Sequence, residues 1–215
     1  MNARVKTVLT TLFTVGCLTV LYFAYVSSDT TVASEAIVKK LVATENTTKS
    51  SAYYGAKRAE IALQEYNKGV VESVRGCNCG GEIDKYNDGV PNQWCTTFAS
   101  WVTKEAGSPI VNPSTKSWKI VNSRDFAEYM QANGTYISKQ QMLDEGIEPR
   151  VGDFIIYYRG DFEDRRGHVD IVVSDSKDGK ADLIGSNIRD RIVYRKNFPY
   201  LDYYGFSGIA RPEKD

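Results

Sequence analysis

The chain has 215 residues, of which 42% are apolar and 25% are charged, and its 27 basic side chains balance 27 acidic ones. This composition is typical of a folded globular protein and excludes a collagen, a disordered tail and a polytopic membrane protein. Zero net charge, with basic and acidic residues interspersed, argues against nucleic-acid binding. The length favours one main domain with an appendage.

Residues 1–27 are predicted to form a membrane segment. Arg4 and Lys6 precede an uncharged, largely apolar run from Thr7 to Val26. A helix of about 20 residues spans roughly 30 Å, which is the thickness of a bilayer core. The basic flank is expected to stay in the cytoplasm, so the rest of the chain lies outside it. The length favours an uncleaved, single-pass anchor.

Two processed forms of this segment remain as alternatives. Thr31-Val32-Ala33 offers the small residues that a signal peptidase requires, and cleavage there would give a secreted protein. Thr14–Cys17 resembles a lipoprotein box only faintly, because Thr14 stands where leucine is usual. All three interpretations place the folded part outside the cytoplasm.

The remainder of the chain divides into a linker and a folded domain. Residues 28–51 are rich in Ser, Thr, Ala and Lys and are predicted to be a linker. Residues 52–215 are predicted to form the domain. The spacing of apolar residues predicts that this domain opens with a helix from Ala52 to Val74, which Gly76 can end.

Asn92–Gly107 is predicted to be a helix with both ends marked. Asn92 is a candidate N-cap, Gly107 suits a left-handed C-terminal position, and Pro109 follows it. Cys95 then lies in the first turn, where free amides and the helix dipole favour a thiolate, the reactive form of cysteine. On this helix alone, a buried and unreactive cysteine is the alternative.

Strands are predicted in the second half of the chain. Phe154–Tyr158 forms one strand, and Gly167–Val173 forms the next. His168, the single histidine of the sequence, opens the second strand. Ala181–Asn187 is expected to return antiparallel as the other arm of a hairpin.

The register of this hairpin decides what lies beside His168. A turn centred on Lys177-Asp178 places His168 opposite Asn187, whereas a turn at Asp178-Gly179 places Asp170 opposite Asn187. Asp170 also shares a strand face with His168, because side chains two residues apart point the same way. Asn187 and Asp170 are both candidates to orient the imidazole.

Together these residues suggest a cysteine hydrolase, with a thiolate at a helix start, a base on a strand and a polar residue that orients the base. In their order along the chain, the motifs resemble the CHAP family of cysteine, histidine-dependent amidohydrolases and peptidases, which are relatives of the NlpC-type cell-wall peptidases. The resemblance covers roughly Ala56–Pro212. It rests on four segments: Gln93–Val102, Gly152–Tyr157, Gly167–Val172 and Ile184–Asn187.

The resemblance implies an α+β, papain-like fold, in which the nucleophile helix packs on an antiparallel sheet, here preceded by one N-terminal transmembrane helix. It also implies cleavage of amide bonds in peptidoglycan, with Cys95 as nucleophile, His168 as general base and Asn187 as the third catalytic residue. Many family members carry Glu two residues before that Asn, where this chain has Gly185. Asp170 is therefore kept as the second candidate for the residue that orients the imidazole of His168.

Three further expectations concern the surroundings of the site. Gln93 is a candidate oxyanion donor, by analogy with papain-like enzymes. Cys77 and Cys79 either pair as a disulfide in an oxidising exterior or remain free thiols. No metal or cofactor is expected, because two cysteines are too few for a structural zinc site and the acidic turn near Asp84 and Asp88 lacks the bidentate Glu of a calcium loop.

The sequence therefore predicts a membrane-anchored, extracytoplasmic peptidoglycan hydrolase, either an N-acetylmuramoyl-L-alanine amidase or an endopeptidase. Its expected partners are peptidoglycan or its peptide stems, and the membrane through the N-terminal helix. We expect a monomer that binds no nucleic acid. Two alternatives are a non-catalytic surface or adhesion module with the same fold, and a cysteine protease of the envelope.

Overall fold

The computed structural model describes residues 51–112, 114–160 and 166–212, all of which belong to one compact unit, Asn46–Asp215. The predicted membrane segment, residues 1–27, lies outside the described residues. So does the predicted linker, residues 28–51, except for its last residue. Within the described ranges, no helix is both long enough and apolar enough to cross a bilayer.

The helices come mainly before the sheet. In chain order the described helices are α1 over residues 51–67, α2 Asp84–Asn87 after a 3-10 turn at Gly81–Ile83, α3 Cys95–Glu105, α4 Ser123–Ala132 and α5 Lys139–Glu145. Helix α1 ends earlier than the predicted Val74. Gly69 takes a left-handed conformation with φ 69°, which ends the helix, and Val70 then turns into the core.

The strands form one antiparallel sheet. They are β1 Tyr136–Ser138, β2 Phe154–Tyr158, β3 Gly167–Val172, β4 Ala181–Gly185, β5 Val193–Phe198 and β6 Phe206–Ala210. Their order across the sheet is β1-β6-β2-β3-β4-β5, and neighbouring strands run antiparallel. The predicted α+β class with an antiparallel sheet is confirmed, and the arrangement is consistent with a papain-like fold.

Both faces of the central strands are buried. One apolar cluster joins helices α3 and α4 to the sheet, and its members include Phe98, Ala99, Val102, Phe126, Phe154, Ile156, Val169 and Ile171. A second cluster joins the sheet to α5, and its members include Met142, Ile155, Tyr157, Val172, Leu183 and Phe206. Because successive side chains of a strand point to opposite faces, a slip of one residue would exchange the two sets. The packing therefore fixes the register of the strands that carry the site.

The β3–β4 hairpin combines features of both predicted alternatives. Asp170 pairs with Gly185, which is the register expected for a turn centred on Lys177-Asp178. The turn itself lies at Asp178-Gly179, where both residues have positive φ, 51° and 71°, as a type I′ turn requires. Strand β4 ends at Gly185, so Asn187, with φ 55°, lies beyond the paired strands.

Candidate active site

Cys95 is the first residue of helix α3, which begins two residues later than an N-cap at Asn92 would place it. Asn92 is not its N-cap, because Trp94 holds that position without a capping side chain. The side chain of Asn92 instead accepts a hydrogen bond from the amide of Gln93, at 3.0 Å. At the other end of the helix, Gly107 has the predicted left-handed conformation, with φ 84°. The cysteine thus lies directly at the start of the helix, where the amides have no intrahelical partners.

Two contacts hold the start of α3 against the rest of the domain. The hydroxyl of Ser186, just after β4, lies 3.4 Å from the carbonyl oxygens of both Trp94 and Cys95 and donates to them. The indole N–H of Trp94 donates to the buried carboxylate of Glu72 at 2.9 Å. Neither role was predicted from the sequence: Ser186 lies in the segment Ile184–Asn187 but was given no function there, and Glu72 belongs to no motif. They fix the backbone that carries the thiol.

The thiol of Cys95 interacts with the imidazole of His168. Burial raises the pKa of the thiol, but a hydrogen bond and charge interaction with His168, aided by the hydroxyl and amide of Thr96, lower it by more. The pKa of Cys95 therefore lies below its ordinary value, and the thiolate is favoured. His168 lies near the start of β3, as predicted, and is buried against Tyr157 of β2.

Asp170 is the carboxylate that pairs with the imidazole. Its Oδ1 lies 2.9 Å from Nε2 of His168, and Asp170 is fully buried. The two residues share a face of β3 because they are two positions apart. Asp170, the second of the two residues predicted to orient the imidazole, is thus the one in contact with His168.

Asn187 is not paired with His168 or Asp170 in the hairpin, which corrects the position predicted for it. The predicted strand ran to residue 187, but β4 ends at Gly185 and Asn187 is left-handed. Its side-chain amide donates to Oε1 of Gln93 at 2.8 Å and to Oδ1 of Asn78 at 3.1 Å. Asn187 therefore belongs to the site as a partner of Gln93, which lines the cleft beside Cys95.

The structure explains why position 185 is a glycine. A Cβ built on Gly185 would lie 2.3 Å from Oδ1 of Asp170 and 3.3 Å from Nε2 of His168. A side chain at this position cannot coexist with Asp170 where it stands. In this chain the carboxylate comes from β3, and the glycine on β4 leaves room for it.

Cys77 and Cys79 are joined by a disulfide, the first of the two alternatives considered for them. Asn78 lies between them with φ 52°, and its amide donates to Glu72 at 2.9 Å. Its side chain accepts the hydrogen bond from Asn187. The disulfide loop therefore contacts the site through Asn78.

The acidic turn near the disulfide has partners within the protein. Asp84 accepts a hydrogen bond from the amide of Gly80 at 2.7 Å, and Asp88 forms an ion pair with Lys119 at 3.3 Å. Over the ranges that the structure covers, no group of three or more His, Cys, Asp or Glu is placed to hold a metal ion.

A cleft of about 520 Å³ opens beside Cys95. Its described lining residues are Asn92, Gln93, Cys95, Thr96, Val121, Asn122, Ser123, Arg159, Arg166 and Gly167. This described lining carries two arginines and no acidic side chain. Such a surface favours a ligand that bears carboxylates.

Arg195 of β5 is a further residue that sequence reasoning missed. Its guanidinium forms an ion pair with Oδ2 of Asp170, the oxygen that does not face His168. The alternation in Val193–Phe198 is that of a strand, but nothing in the sequence indicates which of its basic side chains turns toward the site.

One protein-family model matches the part of the chain that carries the site. Residues 85–187 match the family model described as CHAP domain, whereas no curated protein and no solved structure matches the chain significantly. The matched residues include Cys95, His168 and Asp170 and stop short of Arg195. CHAP domains are typically cysteine- and histidine-dependent amidohydrolases, and the family is one of peptidoglycan-hydrolysing amidases and peptidases. This match to the CHAP family model over residues 85–187 confirms the resemblance that the sequence predicted.

Proposed function

We propose that the protein is a peptidoglycan hydrolase that cleaves an amide bond with Cys95 as nucleophile and His168 as general base and acid. It acts either as an N-acetylmuramoyl-L-alanine amidase or as an endopeptidase. The observation that carries the proposal is the thiol of lowered pKa at a helix start, in contact with an imidazole that Asp170 orients. A merely structural cysteine does not require such partners.

The first half of the reaction forms a thioester. The thiolate of Cys95 attacks the amide carbon, which makes an S–C bond and moves an electron pair onto the carbonyl oxygen. Amides at the start of α3 and the side-chain amide of Gln93 stabilise that oxygen. The imidazolium of His168 then gives its proton to the amide nitrogen as the C–N bond breaks, and the amine leaves.

The second half of the reaction restores the enzyme. Neutral His168 takes a proton from water, and the hydroxide attacks the thioester carbon. The C–S bond breaks, the carboxylic acid product leaves, and the thiolate of Cys95 again faces an imidazolium. Asp170 keeps the ring in one orientation through both charge states.

Asn187 has a different part in this proposal from the one the family resemblance implied. By donating to Oε1 of Gln93, it leaves the Nε2 group of Gln93 to donate toward the cleft. It is thus a positioning residue for the oxyanion donor, not for the base.

Two observations support a peptidoglycan substrate outside the cytoplasm. The arginines of the cleft, Arg159 and Arg166, suit the carboxylates of the peptide stems. The Cys77–Cys79 disulfide suits an oxidising compartment. We propose that residues 1–27 tether the enzyme to the membrane with its catalytic domain outside, and that the enzyme works as a monomer.

The test is mass spectrometry of purified peptidoglycan after digestion by the wild-type protein, by Cys95→Ser and by the matched control Cys17→Ser. We expect new fragments with the wild type and with Cys17→Ser, and none with Cys95→Ser. Thermal unfolding of the three proteins should coincide, because the Cys→Ser change at position 95 is small in volume. The mass and the new end group of each fragment identify the bond that is cut.

Other outcomes would redirect the assignment. Fragments from Cys95→Ser would exclude a cysteine nucleophile. Cleavage of casein without cleavage of peptidoglycan would indicate an envelope protease, and no cleavage of either would indicate a binding module.

A further inference from the structure

We propose that Arg195 is a positioning residue of this site, which keeps Asp170 ionised and in place and thereby sets the pH at which His168 loses its proton. The catalytic consequence of this inference rests on the proposed hydrolase function. Its main test, the titration of His168, does not.

The strand register brings Arg195 to Asp170 from two strands away. Asp170 of β3 pairs with Gly185 of β4, and Leu183 of β4 pairs with Arg195 of β5. Because Leu183 and Gly185 are two residues apart, these four residues project from one face of the sheet. Two strand spacings amount to about 10 Å between chain axes, and Gly185 presents no side chain in the path.

The burial of the pair makes the arginine necessary. Asp170 is fully buried, and the side chain of Arg195 is 15% exposed. A buried carboxylate is costly unless it is paired. His168 offers a positive charge only while it is protonated, and it must lose that proton in each catalytic cycle. Arginine keeps its charge throughout, so Arg195 compensates Asp170 in the half of the cycle when the imidazole is neutral.

The guanidinium is itself held in position. It lies 3.9 Å from the centre of the Phe198 ring, which stacks on it from the same strand. Among the described residues, the other titratable or charged groups that interact with Arg195 or His168 from neighbouring elements include Cys95 of α3, Tyr157 of β2, Arg159 just after β2, and Tyr203 after β5.

None of these other groups substitutes for Arg195. Burial raises the pKa of Tyr157 above its usual range, so this hydroxyl stays neutral at physiological pH. Arg159 is exposed to solvent, where its charge is screened. Among the residues that the structure describes, Arg195 is the permanent charge in contact with Asp170.

The direction of the effect follows from the charges. Removing a fixed positive charge beside Asp170 makes the Asp170–His168 pair hold its last proton more tightly, whichever of the two groups carries it. The pH at which the pair becomes fully deprotonated must therefore rise. A role in packing alone would lower stability and leave this pH unchanged.

The experiment is an NMR titration of the imidazole, which is unambiguous because the chain has one histidine. It compares the wild type, Arg195→Met and Arg195→Lys, all made without a histidine tag. Lys196→Met is the matched control, since it removes the neighbouring positive charge on the same strand from an exposed position.

We expect the wild type and Lys196→Met to titrate together. In Arg195→Met the titration midpoint of His168 should lie about one pH unit higher, which is a roughly tenfold gain in proton affinity. In Arg195→Lys the midpoint should lie at least halfway back to that of the wild type. The alkaline limb of the pH profile of kcat on peptidoglycan should move in the same direction, with KM unchanged.

A folded Arg195→Met protein in which His168 titrates as in the wild type would overturn the inference. If the Met variant does not fold, Arg195→Gln keeps a polar amide at the position and supplies the same comparison. If no variant and no wild type cleaves peptidoglycan, the proposed function fails, while the titration still decides the role of Arg195.

Discussion

Asp153 and Asp170 are two buried aspartates that each pair with an arginine, and their surroundings differ in one respect. Asp153, just before β2, receives bonds from Nε and Nη2 of Arg211 at 2.9–3.2 Å and from the amide of Arg150 at 2.8 Å. Asp170 divides its two oxygens between Arg195 and His168. One carboxylate is enclosed by groups that keep their charge, and the other faces a ring that changes its charge.

The difference separates a carboxylate that holds the fold from one that serves the site. Burial raises the pKa of Asp153 by more than Arg211 lowers it, so the contact ties the end of the chain to β2 at an electrostatic cost. His168 pairs with Tyr157 of β2. Tyr157 is four residues beyond Asp153, which corresponds to roughly 13 Å along an extended strand. A substitution at Asp153 should therefore act on stability, and one at Asp170 should act on chemistry.

The largest effect that this comparison predicts is on activity. Asp170→Ala should lower kcat roughly a thousandfold, because the imidazole loses the group that orients it for proton transfer. Asp153→Ala should leave kcat of the folded enzyme unchanged and lower the free energy of unfolding by roughly 3 kcal/mol, because Arg211, whose side chain is only 13% exposed, loses the carboxylate that neutralises it. Kinetics on peptidoglycan and urea unfolding of both variants provide the measurement, and equal losses of activity would erase the distinction.

A smaller effect is expected at the glycine that makes room for Asp170. Gly185→Ala brings a Cβ within 2.3 Å of the Asp170 carboxylate, so this carboxylate must move, and kcat should fall about a hundredfold. The double variant Asp170→Ala/Gly185→Glu moves the carboxylate to β4. It should regain part of the activity that Asp170→Ala loses, and failure of Gly185→Ala to lower kcat would show that the position of Asp170 is not critical.

The smallest effect is expected at Asn187, the hydrogen-bond partner of the proposed oxyanion donor Gln93. Asn187→Ala removes the partner of Gln93 and should lower kcat about tenfold, a fraction of what a lost oxyanion donor costs. The NMR titration of His168 should be the same as in the wild type. A shifted titration would mean that Asn187 acts on the imidazole after all.

Much of the fold could be predicted because local signals were strong. The strands at Phe154–Tyr158 and Gly167–Val172 and the left-handed Gly107 follow from apolar runs and from the conformational freedom of glycine. The hairpin register was among the predicted alternatives because alternation on a buried strand restricts the possible pairings. The early end of α1 was missed, because the apolar spacing continues past Gly69.

Only those residues of the site that stand out in a local sequence motif could be predicted. Cys95 and His168 stand out because helix starts and a lone histidine are visible in a sequence. The pairing of Asp170 with Arg195 depends on three strands, β3, β4 and β5, meeting in one register, and no local pattern encodes it. Asn187 was misplaced for a related reason, since one left-handed residue beyond β4 redirects its side chain from the imidazole to Gln93.

The proposed mechanism requires that His168 activates the thiol of Cys95, and the pH dependence of alkylation measures this activation. The rate of reaction with iodoacetamide is measured from acid to alkaline pH in Cys17→Ser protein with and without His168→Gln. In this background Cys95 is the free thiol, because Cys77 and Cys79 are disulfide-bonded.

With His168 intact, the half-maximal rate should lie below pH about 8.5, the ordinary pKa of cysteine, because the pKa of Cys95 is lowered. In His168→Gln it should move above that value, because burial then acts with little opposition. Equal midpoints in the two proteins, at or above the ordinary value, would show that His168 does not activate the thiol.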